Sequence, residues 1–137
     1  MGQQQLLLII LGVIIVGIAI AVGLQLFQSG SIGANQDAMI NDIMNIAAHA
    51  DQFRIRPVSM GGGGGDFDGG NEYQLPTRME ETGNGRYEVD VDGSDQITIT
   101  GTSVQFGTDD TIVLVYQPLE DDEANRYNWT FNGVFSQ

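Results

Sequence analysis

Nineteen consecutive residues, Leu6 to Leu24 (LLLIILGVIIVGIAIAVGL), contain nothing more polar than three glycines. As a helix they span roughly 28 Å at 1.5 Å per residue, close to the thickness of bilayer hydrocarbon. A helix that is apolar all round has no face to turn to water, and a domain of this size has no core able to enclose it. Lipid or further copies of the same helix must cover it.

No ionisable side chain occurs before Asp37, so the tip ahead of the run, Gln3-Gln4-Gln5, is neutral. A secretory signal has a positive n-region and a shorter apolar stretch, and neither is found here. A single-span protein is ordinarily oriented by Lys or Arg on its cytoplasmic flank. This flank has none, so either a basic leader ahead of Met1 or some other orienting device is expected.

The 137 residues suffice for one domain beside the apolar segment. Net charge is −13, and the five cations (Arg54, Arg56, Arg78, Arg86 and Arg126) are all arginine. Without lysine there is no P-loop lysine and no Schiff-base chemistry. An acidic surface repels phosphate, so nucleic acid is not an expected partner. With no cysteine, disulfides, thiolate metal sites and cysteine nucleophiles are all excluded.

Within the run, Gly12, Gly17 and Gly23 are joined by Ala19 and Ala21. Gly17 with Ala21, and Ala19 with Gly23, are small-xxx-small pairs that let helices approach closely in an apolar setting. Gln25–Asn35 loses apolar density and contains Gly30 and Gly33, each weakening a helix by about 1 kcal/mol, so a bend or break is expected near 25–35. From 34 to 54 the pattern is amphipathic. Met39, Ile43, Ile46, Ala50 and Phe53 form one stripe, and Asn41, Asp42, Asn45, His49 and Gln52 take the other side. Pro57 ends it.

Residues 60–70 (MGGGGGDFDGG) read as a flexible connector or exposed loop. Beyond Asn71 the period becomes two. Tyr87, Val89 and Val91 turn through Asp92-Gly93-Ser94-Asp95 into Ile97 and Ile99, which is a hairpin. A second hairpin is expected from Thr102–Phe106 to Thr111–Gln117. Asn125–Phe131 closes a sheet of three to five antiparallel strands, with Tyr127, Trp129 and Phe131 on one face. The fold class is therefore α+β. A helical stem occupies 1–56 (apolar 6–24, amphipathic 34–54), a glycine-rich connector 57–72 and an antiparallel β head 73–137.

Chemistry is sparsely represented. His49 is the one histidine and has no nucleophile at a useful spacing, so no enzyme and no cofactor are expected. Two loops hold alternating oxygen ligands of the kind that wrap calcium: Asp66 and Asp68 with Asn71 and Glu72, and Asp90, Asp92 and Asp95 with Ser94. Neither completes an EF-hand pattern, and ordinary Asp-Gly turn chemistry is the plainer reading. Asn128-Trp129-Thr130 is an N-glycosylation sequon; if Trp129 turns inward, Asn128 and Thr130 face out.

This order of parts resembles a type IV pilin: an apolar helical half opening the chain, an amphipathic half, a variable loop, then an antiparallel sheet. The resemblance covers the whole architecture. It implies a subunit whose apolar half first sits in the inner membrane and then packs with copies of itself in a filament core at the cell surface, beneath acidic heads. It also implies a basic leader, removed on maturation. Met1, Gln5, Gly12, Gly17, Ala19, Ala21 and Gly23 are the residues it would place in assembly contacts. The fifth residue, where bacterial type IV pilins usually carry glutamate, is Gln5, which accepts a hydrogen bond but brings no charge. The cysteine pair frequent near the family's C-terminus is missing. The alternatives are a pseudopilin of a secretion system, or a single-span membrane protein whose β domain binds a ligand or partner.

Overall fold

A single helix, α1, runs from Gly2 to Ile55 in the computed structural model, which describes residues 2–136. The break expected near 25–35 does not occur, and Gly30 and Gly33 lie inside unbroken helix. Two glycines cost about 2 kcal/mol. Ending one helix and nucleating another costs about 4 kcal/mol, from a nucleation constant of about 10⁻³. No proline intervenes between Gly2 and Ile55, so continuing is the cheaper course.

The chain divides into two compact units, Met1–Ala34 and Asn35–Gln137. The division falls inside α1 and groups its amphipathic half with the sheet. After α1 come a 3₁₀ turn at Val58–Met60 and the short helix α2 (Thr77–Glu80). Strands β1 (Gly85–Val91), β2 (Ile97–Ser103) and β3 (Thr111–Tyr116) follow. Helix α3 (Glu123–Arg126), β4 (Tyr127–Phe131) and a 3₁₀ turn at Gly133–Ser136 complete the order. The α+β class is as the periodicities implied.

The four strands form one antiparallel meander in chain order, β1-β2-β3-β4. The hairpin across residues 92–95 is present, with Val91 opposite Ile97. The second hairpin differs from expectation: Thr102 and Ser103 end β2, and Val104 turns out to solvent. One strand therefore serves both hairpins, because the buried alternation from Ile97 continues unbroken to Ser103.

In the second unit, Asn35, Met39, Ile43, Ile46, Ala47 and Ala50 form the buried stripe of α1. The buried sheet face is built by Tyr87, Ile97, Ile99, Ile112, Leu114 and Tyr116. Gly101 lies at their contact. A Cβ there would stand 2.9 Å from the Tyr87 ring and 3.1 Å from Ile43 Cδ1, so only glycine lets helix and strand approach this closely. Each fully buried aliphatic side chain contributes about 1.5–3 kcal/mol, which makes this interface the main source of stability.

The glycine tract corrects the expectation of a flexible connector. Gly62 and Gly63 are buried. The amides of Gly63, Gly64 and Gly65 donate to the carbonyls of Phe53, Arg56 and Arg54 at 3.0, 2.9 and 2.7 Å. Carbonyls in the last turn of α1 and just past it are thus met by the loop folding back over them, Phe53 O accepting from Arg56 N–H as well. Arg54 Nη1 closes the arrangement on Gly65 O at 3.2 Å. A Cβ on Gly63 would overlap the Asp66 carbonyl oxygen. Gly63→Ala is expected to destabilise the unit by about 2 kcal/mol, within the usual range for a steric clash that breaks hydrogen bonds. The loss is read as a lower urea midpoint and faster tryptic cleavage after Arg54, whose side chain the loop holds.

Candidate functional site

Every large apolar side chain from Leu6 to Leu26 is between 47 % and 69 % exposed, whichever way it points. No acidic side chain occupies the first turn, and Gln5 is exposed and neutral there. Met1 lies outside the described residues. This helix is long and apolar enough to cross a membrane, and none of its apolar window is buried. A contiguous uncovered apolar surface is uncommon in water and marks contact with lipid or protein.

The small residues lie on two sides of it. At about 100° per residue, Gly17 and Ala21 fall within about 40° of each other. Gly12, Ala19, Gly23 and Gly30 cluster roughly opposite, also within about 40°. A Cβ built on Gly12, Gly17, Gly23 or Gly30 meets nothing within 4 Å, so each marks an open notch in the helix surface. One notched side suits a pair of helices. Notches on opposite sides allow close neighbours on both.

All the charge belongs to the second unit, since every Asp, Glu and Arg lies at or beyond Asp37. Two ion pairs occur among the described residues, Arg54–Asp51 at 3.0 Å and the exposed Arg86–Glu81 at 3.5 Å. The proposed calcium ligands are not brought together. Asp68, Asp90, Asp92 and Asp95 are exposed, Asp66 is half-buried, and Asp92 Oδ2 accepts from Thr98 Oγ1 at 2.6 Å. Among the described residues no three acidic or imidazole groups are placed to hold a metal ion. Their spacing serves turns, with the carboxylates directed to solvent.

Asp42 and His49 do not belong with Asn41, Asn45 and Gln52 on the solvent side. On the helical wheel both border the buried stripe, and both reach the residues before β1. Asp42 Oδ2 accepts from Tyr87 OH at 2.8 Å, Thr82 Oγ1 at 2.9 Å and Asn84 Nδ2 at 3.0 Å. Asn35 continues the network, donating to Asn84 O at 3.1 Å and accepting from Ser103 Oγ at 3.0 Å. Burial, reinforced by the bond to Asp42, pushes the Tyr87 hydroxyl well above its usual pKa. His49 Nδ1 lies 3.0 Å from Tyr73 OH. Burial, with Arg78 and Arg56 nearby, holds its pKa below the ordinary imidazole value. The contact ties the loop before β1 to the helix. The wheel places both at the border of the stripe; the partners that hold them lie 24 to 45 residues away and leave no mark in the helical pattern.

An open groove beside β1 is lined by Glu72, Glu80, Glu81, Glu88 and Asp90, with Arg86 the one cation in its wall. It would repel anions. On β4, Asn128 and Thr130 are exposed as expected, whereas Trp129 is half-buried and stacks on Phe131 at 6.2 Å. No protein-family model, curated protein or solved structure matches the chain.

Proposed function

We propose that this chain is the structural subunit of an extracellular helical filament of the type IV pilus kind. Its apolar helix is held in the inner membrane before assembly and packed among other copies afterwards. The carrying observation is the uncovered apolar helix with small-residue notches on opposite sides. Lipid alone would cover the apolar surface but gives the notches no role. Contacts made on two different sides do not close into a dimer, and heterologous contacts that fail to close generate open helical assemblies. The apolar half of α1 has no ionisable side chain to desolvate when it leaves lipid for protein, while the acidic unit stays in water.

The test is Gly17→Leu combined with Ala21→Leu, which fills one notched side and leaves hydropathy high. Negative-stain microscopy of sheared cell surfaces should show filaments from the parent chain and none from the variant. The variant head should remain folded, as reported by Trp129 fluorescence. Filaments of normal number and length from the variant would defeat the proposal. Detergent-extractable monomers and no fibres from the parent would favour a single-span membrane protein instead.

A further inference from the structure

We propose that Asn128 is the attachment site of an N-linked glycan. Asn128-Trp129-Thr130 is the one place in the chain where an asparagine is followed two residues later by Ser or Thr. The structure adds what the motif alone lacks. The period of two on β4 turns Trp129 to the helix-facing side, against Phe131, and leaves Asn128 and Thr130 together on the outer side, both exposed. The neighbouring amides are occupied: Asn125 Nδ2 donates to Asp122 Oδ2 at 3.3 Å and Asn132 Nδ2 to Thr111 Oγ1 at 3.0 Å. Asn128 Nδ2 has no such partner among the described residues.

The surroundings fit a large polar substituent. β4 is the last strand of the sheet and contains no charged residue, whereas the opposite edge, β1, carries Arg86, Glu88 and Asp90. In register, Asn128 stands opposite Val115 on an outer face that continues through Val113 and Thr100. A neutral strand edge invites pairing with a further strand unless something guards it. A glycan is bulky, solubilising and confined to the surface, and it would guard this edge where charge does not.

Attachment joins Asn128 Nδ2 to the anomeric carbon of an oligosaccharide carried on a polyprenyl phosphate. The bond from that carbon to the phosphate oxygen breaks, the phosphate leaves with the electron pair, and one amide proton is released. The Thr130 hydroxyl is the element the transferase reads beside the asparagine. The inference needs only that this unit crosses the membrane. A filament subunit and a membrane-anchored protein both satisfy that, so it can fail or stand separately from the filament proposal.

The test uses the full chain recovered from the cells that produce it naturally. Trypsin cuts after Arg126 and releases the peptide that begins at Tyr127 and carries Asn128, whose mass is then measured. The expected result is the peptide with an added glycan mass, complete loss of that mass in Asn128→Gln and Thr130→Ala, and its retention in Thr130→Ser. The peptide at its bare mass in the parent chain would overturn the assignment. So would an unchanged added mass in Asn128→Gln.

Discussion

Asp42→Ala lowers the stability of the second unit by about 3 kcal/mol, the scale expected when hydrogen bonds to a charged group are lost and a buried donor is stranded. The readout is the urea midpoint followed through Trp129, the chain's one tryptophan, using the full chain in detergent. One carboxylate oxygen accepts from Tyr87, Thr82 and Asn84, which tie α1 to the start of β1. Removing it leaves the Tyr87 hydroxyl, on a side chain only 1 % exposed, without its acceptor. The desolvation of that group is then uncompensated, and this is the largest part of the loss. Asp42→Asn keeps one acceptor oxygen and gives up the charge, so about 1 kcal/mol is expected there. A midpoint unchanged in Asp42→Ala would mean that water replaces the carboxylate and that the cluster does not hold helix to strand.

Strong alkali should unfold the same unit over a narrow range. Burial pushes the pKa of Tyr73 and of Tyr116 up to about 12, with Asp51 adding to the effect at Tyr116. Tyr87 is raised further. A folded pKa above the unfolded value means that stability is fully present below the unfolded value, about 10, and is lost as pH rises through the folded one. Between those limits the unfolded chain sheds protons that the folded chain keeps. Each tyrosine then subtracts up to about 1.4 kcal/mol per pH unit, or about 4 kcal/mol per unit for three. A domain stable by about 5–15 kcal/mol cannot withstand that for long. Tyrosinate absorbance and Trp129 fluorescence should therefore change together, between about pH 10 and 12. Smooth ionisation near pH 10 with the fluorescence unmoved would show that the three hydroxyls are reached by water in the folded state.

Much of this molecule could be read one residue after another. The run from Leu6 to Leu24 announces a helix that cannot stay in water, because no rotation of it hides the apolar surface. Met39, Ile43, Ile46 and Ala50 announce one buried face, since a helix returns to the same side every three or four residues. Tyr87, Val89 and Val91, then Ile97 and Ile99, do the same for two strands at a period of two. These signals are local and give the helical stem and the antiparallel sheet, but not the unbroken course of α1 through 25–35 or the run of β2 to Ser103.

What remained hidden depends on residues far apart in the chain. Asp42 meets Tyr87, and Asn35 meets Ser103, across separations of 45 and 68 residues. Nothing in the helical pattern distinguishes a carboxylate facing water from one at the stripe's border with three donors waiting. The glycine tract looked like slack because composition reports freedom in the unfolded chain. Only the end of α1, whose last carbonyls accept from the loop amides, supplies the reason for Gly63 to be pinned. Sequence alone thus determined which stretches are helix, strand and uncovered apolar surface, since those follow from periodicity and hydropathy. Tertiary structure alone decided which polar groups are held and which turned to solvent, because a hydrogen bond needs both partners in place.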